Sequence, residues 1–469
     1  MLSLRKGMDQ VHHVLGTDAI VNIALRMLAY INRETVQHSV RTAYLSYKIA
    51  CIHPMHENCS LQNLVLMALF HTIGFFREDI HFNYVPNQFD HNYFSTAKSI
   101  ESKYVFSCYY LEYMTPLHAD AHCLQYFLQP PNSDLREFLP QEEYKEIISM
   151  SARISDWLKR NNYSQLPEDL NDIAPGFFVP DYIEAFHLAN KDNTLIDNIK
   201  SNKHSEELSQ YLSTVTFPQE DKRFLEKMIV HLLDFKSTST MKHSINTSSY
   251  ALSLGLRLNL NETELSTLYT NAFLHDIGKI ATPQRILEFP GKLSPEDMGI
   301  MRHHVKHSKR ILNGFVDKEI VETVYRHHEK LNGKGYPCHV KGEDLTLLQR
   351  ILTVADITSA LNDSRSYKGE FSKEKTISII TNMTNKGEID PEITKFVIED
   401  FDTLLQEQQI FQNMLQVDFS KVIMKYNDYI FDDIDSWVDY LLNTALPYYP
   451  DSECADLEEL DDLEDLEEL

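Results

Sequence analysis

Asn271-Ala272-Phe273-Leu274-His275-Asp276-Ile277-Gly278-Lys279-Ile280 sets an imidazole beside a carboxylate at the end of an apolar run. Just upstream, Leu265, Leu268, Tyr269, Ala272 and Phe273 recur every three to four residues, the stripe of a core-facing helix. Gly278 reads as the punctuator that ends this helix, and Lys279 stands four positions after His275. A His-Asp pair suits a metal cluster, because the imidazole binds one cation while the carboxylate bridges to a second. A structural, hydrogen-bonded His-Asp pair would look the same in isolation.

Around this stretch lie further metal-ligand residue types. His243-Ser244 comes before it, and His304, His327-His328-Glu329 and Asp356 come after it. Between His328 and Asp356 sits Gly333-Lys334-Gly335-Tyr336-Pro337. In this order the sequence resembles the HD-GYP phosphodiesterases, a branch of the HD metal-dependent phosphohydrolase superfamily, over roughly residues 235–400. The resemblance implies hydrolysis of a 3′–5′ cyclic dinucleotide, cyclic di-GMP or 3′,3′-cyclic GMP-AMP, to a linear one by a metal pair.

Position by position, it places His243, His275, Asp276 and Asp356 on a first metal and His304, His327 and His328 on a second, with Asp276 bridging. Paired cations can deprotonate a bridging water and neutralise charge in an in-line displacement. Nitrogen and oxygen donors without thiolate suit two divalent transition-metal ions, Fe or Mn, better than structural zinc. His303 and His307 read as bystanders, and Glu329 as a group that orients a histidine. Some family members hold a third metal with a glutamate four residues before the first histidine. Ser239 stands there, so a binuclear site is expected.

The resemblance gives Lys279 and Asp276 the catalytic roles and assigns substrate phosphates to Arg365 and Lys368. Gly335 and Tyr336 would form a loop that approaches the ligand closely. Three positions depart from the family pattern: Ser359 and Asn332 where an aspartate is common, and Ser364 where an acid is. All three lie around the substrate loops, so they bear on base preference more than on catalysis. The rival from another class is a receptor that binds the dinucleotide, or a signalling scaffold, without turnover. A third is a general mononucleotidase, which the Gly-Tyr-Pro segment disfavours.

The chain of 469 residues is long for one core, so tandem domains are expected. Residues 1–160 echo the later half. His38-Ser39 answers His243-Ser244, Phe70-His71-Thr72-Ile73-Gly74 answers Leu274 to Gly278, and Asp156 answers Asp356. Thr72 replaces the bridging carboxylate, and Leu117-His118 to His122 read as a remnant of the paired histidines. The expectation is a degenerate HD-like domain over 1–160, with a residual metal at His38, His71 and Asp156 as an open alternative. A decayed domain before an intact one resembles the tandem enzymes that degrade 3′,3′-cyclic GMP-AMP. A helical and irregular connector (161–221), the catalytic HD-GYP domain (222–400), C-terminal helices (401–450) and an acidic, disordered tail (451–469) complete the reading. The expected class is all-α throughout, two HD-type domains in tandem.

A net charge of −25 argues against a general DNA or RNA binder. Six scattered cysteines without metal or redox spacing and no membrane-spanning run lead to a cytoplasmic expectation. A homodimer contact and a regulatory protein partner, through the first domain or the acidic tail, stand as partner expectations.

Overall fold

The fold comes from a computed structural model that describes residues 11–12, 14–77, 91–131, 141–363 and 371–430, with the backbone alone at 91–99, 416–418 and 430. The tail, residues 431–450 of the expected C-terminal helices, and Ser364, Arg365 and Lys368 lie outside the described residues. Among those described, every regular element is a helix, and β pairing is confined to the isolated bridges Asn313–Val316 and Asn332–Lys341. None of these helices is long and apolar enough to cross a membrane.

Helices α1 (Thr17–Ile31), α2 (Arg33–Ile52), α3 (Leu61–Phe70), α4 (His91–Met114) and α5 (Glu142–Arg160) build the first half. The connector forms α6 (Pro180–Ala189), α7 (Thr194–Lys200) and α8 (Lys203–Leu212), and buries Phe178, Tyr182 and Phe186. The second half runs through α9 (Gln219–His231), α10 (Thr238–Arg257), α11 (Glu262–Leu274), α12 (Gln284–Leu287), α13 (Pro295–Arg302), α14 (His304–Leu312), α15 (Lys318–Tyr325) and α16 (Leu347–Asn362). It closes with α17 (Lys373–Asn385), α18 (Pro391–Glu399) and α19 (Phe401–Ile430).

The amphipathic stripe read from Leu265 to Phe273 is buried along α11. Asn261 and Glu264 close a reciprocal capping box at its start. Ser294 accepts the Asp297 N–H with Pro295 in the first turn of α13, as its Ser-Pro-Glu-Asp spelling requires. The run from Ser294 to Leu312 forms two helices rather than one. The chain turns at His303 and restarts as α14, which puts His304 at a helix start.

Gly278 also works differently from a helix punctuator. A Cβ there would lie 2.1 Å from the His304 carbonyl oxygen and 2.4 Å from the Ser308 nitrogen, so the missing side chain lets α14 lie against this backbone. The Gly278 N–H donates to Ser308 Oγ at 2.9 Å, and Ser308 Oγ donates to the His275 carbonyl at 3.0 Å.

The first half repeats the device. A Cβ on Gly74 would lie 2.2 Å from the Lys103 carbonyl oxygen of α4. The Gly74 N–H donates to Ser107 Oγ at 3.0 Å, and Ser107 Oγ donates to the Lys103 carbonyl at 2.8 Å. His71 Nδ1 bonds the Ala68 carbonyl and His275 Nδ1 the Ala272 carbonyl, each at 2.7 Å. His38 Nδ1 meets Asp156 at 3.0 Å, while Ser39 Oγ and Thr72 Oγ1 share a 2.7 Å hydrogen bond where the later half has a carboxylate. His118 packs on Phe224, and His122 pairs with Glu112 at 2.8 Å.

The two halves share one buried apolar cluster, which joins Ile20 and Phe70 to Ile277, Ile311 and Phe411. A second cluster lies among α10, α16, α17 and α18. Arg26 of α1 ties the halves together at α14. Its Nη1 donates to the carbonyls of Arg310, Ile311 and Asn313 at 3.0, 3.1 and 2.7 Å, and its guanidinium lies 3.9 Å from the Phe315 ring centroid. A cation at a helix C-terminus satisfies carbonyls that have no partner within the helix. The helix that begins with His304 is thereby anchored at its far end by the first half.

Burial, helped by the nearby His38, pushes His71 down to about 3. Below about pH 6.5 the unfolded chain takes up a proton that the folded chain refuses, so His71 contributes instability that grows as pH falls toward 3. Between pH 7.5 and 5 this amounts to about 2 kcal/mol. Urea titrations of wild type and His71→Phe at the two pH values test it: the variant is expected to lose less stability on acidification. Equal losses would contradict the assignment.

Candidate metal centre

The seven predicted ligands arrive from five separate segments. His243 projects from α10, His275 and Asp276 from the end of α11, His304 from the start of α14, His327 and His328 from the turn after α15, and Asp356 from the middle of α16. Three imidazoles are oriented alike. The Nδ1 atoms of His275, His304 and His327 bond the carbonyls of Ala272, Met301 and Val324 at 2.7, 2.8 and 2.7 Å. In each case the acceptor lies three residues earlier, at a helix end whose carbonyls lack helical partners. With Nδ1 engaged, Nε2 is the atom presented to the centre.

All three Nε2 atoms face Asp276, which is 1% exposed. Oδ1 lies 3.3 Å from His304 and 4.0 Å from His327. Oδ2 lies 3.2 Å from His275, 3.7 Å from His243 and 2.8 Å from Lys279 Nζ. One carboxylate oxygen thus faces each of two ligand groups: His243, His275 and Asp276, and His304, His327 and His328. Asp356 stands between them, with Oδ1 2.8 Å from His243 Nε2 and Oδ2 3.5 Å from His328 Nδ1.

The charges inside this pocket are divided. Burial opposes ionisation of Asp276, but His275 and Lys279 outweigh it and hold the carboxyl well below the usual range. Burial likewise opposes charge on His275, and Asp276 with Asp356 lifts it to about 10. On the other side burial dominates, pushing His304 down to about 3 and His327 to about 4. The neutral imidazoles of that side are ready-made ligands.

Two observations fit cations. His275 Nε2 and Asp276 Oδ1 are fully buried and make no hydrogen bond, an arrangement that in a native interior calls for a partner. The Nε2 atoms of His304 and His327 also converge to 3.4 Å, with their other nitrogens committed to carbonyls. Converging lone pairs are favourable only around a shared positive charge. The donors are imidazole and carboxylate, the set expected from the sequence.

Sequence reasoning missed the group behind His243. Asp363 Oδ2 accepts from His243 Nδ1 at 2.8 Å and from Ser359 Oγ at 3.0 Å, while Asp363 Oδ1 accepts from Asn246 Nδ2. The readable signal was the spacing from Asp356 in α16 to Asp363 just past its end, two helical turns on.

Glu329 acts elsewhere than expected. Its carboxylate accepts the N–H groups of Cys338, His339 and Val340, so it fastens the Gly-Tyr-Pro loop rather than a histidine ring. Gly335 belongs to the same support: a Cβ would lie 2.4 to 2.5 Å from the backbone of residues 328–330, so the close approach is to the chain itself. Tyr336 stacks on His328, ring centroids 4.7 Å apart. His303 is exposed and His307 packs on Tyr30, which leaves His304 as the site histidine of that run. Glu329→Ala strands three loop donors. Since charge-assisted bonds contribute about 1.5–3 kcal/mol, KM should rise about tenfold or more, with bound metal per chain unchanged. Loss of metal in that variant would contradict a loop-holding role.

The ligands open onto a cavity of about 380 Å³, within the ~300–1,000 Å³ range of small-molecule sites. Lys242, Lys279, Arg302, Lys330 and Lys334 are among its lining residues, cations in a strongly acidic chain.

A family model described as HD domain matches residues 227–393. The chain is 28% identical over 271 residues to 3'3'-cGAMP-specific phosphodiesterase 1 of Vibrio cholerae, covering 56% of this chain and 60% of the relative. It is 28% identical over 287 residues to 3'3'-cGAMP-specific phosphodiesterase 2 of the same organism, covering 55% and 54%. To the cyclic di-GMP phosphodiesterase response regulator RpfG of Xanthomonas campestris it is 30% identical over 172 residues, 36% and 46% of the two chains. The chain therefore spans about half the length of the curated relatives it matches. A crystal structure of a cyclic GMP-AMP specific phosphodiesterase of V. cholerae, V-cGAP3, superposes with a TM-score of 0.52 over 84% of this chain and 98% of that one. At 16% identity that likeness concerns the fold. The segment that matches the HD domain model, residues 227–393, is the one that carries the paired ligand groups.

Proposed function

We propose that this chain is a metal-dependent phosphodiesterase that hydrolyses a 3′–5′ cyclic dinucleotide, 3′3′-cGAMP or cyclic di-GMP, to the linear dinucleotide. The observation that carries the reading is the division of Asp276, one oxygen toward each ligand group. His243, His275, Asp276 and Asp356 would hold one divalent cation, and His304, His327 and His328 the other, with Fe or Mn the best match to these donors. Bound there, the cations supply an activated water and a charge clamp for in-line displacement at phosphorus.

The chain's own groups do the rest. Lys279 Nζ, 2.8 Å from Asp276 Oδ2 and on the cavity wall, is placed to hold a non-bridging phosphate oxygen. Glu329 holds the loop that offers Tyr336 to the ligand. Arg365 and Lys368 remain assigned to substrate phosphates by resemblance. Residues 1–160 we read as a degenerate HD-like domain whose Thr72 cannot bridge metals, with a structural or regulatory role exerted through α1.

The test is product analysis with 3′3′-cGAMP, cyclic di-GMP and cyclic di-AMP side by side, with the protein loaded with Mn or Fe. Linear dinucleotide should appear from at least one of them and disappear after chelation. Binding without cleavage at full metal loading would make the chain a receptor instead.

A further inference from the structure

His275, His304 and His327 take their orientation from backbone carbonyls at helix ends. His243 cannot. It lies inside α10, where the neighbouring carbonyls are engaged in helical bonds, so its Nδ1 needs a side-chain acceptor. Two meet it: Asp363 Oδ2 at 2.8 Å and Ser359 Oγ at 3.1 Å. The Ser359 hydroxyl has one hydrogen, and its other partners, Asp363 Oδ2 at 3.0 Å and the His243 carbonyl at 3.4 Å, both accept. Its oxygen therefore offers the ring a lone pair. Nδ1 must carry a proton, and Nε2 is left as the ligand atom, 2.8 Å from Asp356 Oδ1 and 3.7 Å from Asp276 Oδ2.

Asp363 is itself held in place. It closes α16, where its N–H donates to the Ser359 carbonyl at 2.9 Å, one turn back. Its Oδ1 accepts from Asn246 Nδ2, three residues along α10 from His243. With that nitrogen turned to the carboxylate, Asn246 Oδ1 is the acceptor for Gln408 Nε2, which also donates to Gln412 Oε1 at 2.8 Å. Asn246 and Gln408 are both 6% exposed, so water competes little for these bonds. The relay brings α19, which begins beyond the matched residues 227–393, to a histidine of the first metal.

Resting on the paired-metal reading of this centre, whatever its substrate, we propose that Asp363 and Ser359 are positioning residues for the first metal, acting through His243. A carboxylate at position 359, common in the family pattern, would reach the same ring nitrogen. Here that position keeps a hydroxyl, and Asp363 supplies the carboxylate from one turn further on. The Ser359 departure then bears on the metal centre and not on base preference.

The probe is Mn²⁺, titrated calorimetrically into the metal-stripped full chain, with thermal melts of the metal-free proteins as the fold control. Wild type is expected to take two ions. Asp363→Ser should weaken one site by about 10–100-fold and spare the other. Gln408→Met, which removes only the far end of the relay, should weaken the same site by less. Ser359→Asp combined with Asp363→Ser moves the carboxylate back one turn and should recover most of the lost affinity. A mere packing role would not be rescued by altering a second buried side chain. Equal weakening of both sites, no weakening, or no recovery in the exchanged pair would overturn the assignment. Two ions on wild type with a failed exchange would end this proposal alone. A wild type that takes no manganese would end the paired-metal reading and this proposal with it.

Discussion

Asp276→Ala should lower turnover of the cyclic dinucleotide by well over 100-fold and reduce bound metal from two ions per chain to one or none. The size follows from position. Residues that only support a ligand from behind typically cost about 10–100-fold in metal affinity or activity when removed. Asp276 faces both ligand groups directly, so the loss should exceed that range.

Unfolding is not the expected cause. Without the carboxylate, His275 loses the largest charge that opposes its burial and shifts toward the neutral form, while Asp356 remains beside it as a partner for any charge it keeps. The variant should therefore melt near the metal-free wild type. What it should lose is the rise in melting temperature on adding metal, since only a bound ligand stabilises the folded state by mass action. Calorimetry with and without manganese, beside metal analysis, checks both parts. An undiminished metal-dependent rise would contradict the bridging role.

Gly278→Ala should be the most disruptive small substitution outside the ligand set. The new methyl would meet the His304 carbonyl oxygen at 2.1 Å and the Ser308 nitrogen at 2.4 Å, both backbone atoms that cannot swing aside. Helix α14 must retreat by on the order of an ångström, and overpacking of this kind costs about 1–3 kcal/mol or more. Retreat carries His304 away from Asp276, now 3.3 Å distant, and breaks the Gly278–Ser308–His275 hydrogen bonds. The matched control is Gly74→Ala, where a Cβ would meet the Lys103 carbonyl at 2.2 Å in the half that lacks a bridging carboxylate. Both variants should lower the urea midpoint. Only Gly278→Ala should also weaken metal binding, and equal metal affinity in the two would argue against this account of α14.

Much of this centre was legible because its chemistry is spelled by residue type and order. The stripe from Leu265 to Phe273 gave α11, and His243, His275, Asp276, His304, His327, His328 and Asp356 are all brought to one pocket. What stayed hidden depends on partners distant in the chain. Gly278 looked like a helix stop because nothing local reveals that α14 lies on it. Glu329 looked like a histidine's partner because its real partners, the N–H groups of residues 338–340, belong to a loop whose path is set by folding. The glutamines of α19 show no motif at all. Only folding brings Gln408, some 160 residues beyond Asn246, to hydrogen-bond it at the cavity. Arg26 is the extreme case, a first-half residue that anchors α14 from 284 or more positions away.

The most direct measurement is anomalous diffraction at the manganese edge from crystals grown with Mn²⁺. Two peaks about 3.5–4 Å apart are expected, one within bonding distance of each Asp276 oxygen. A single peak, or a pair that leaves Asp276 without a metal, would contradict the account.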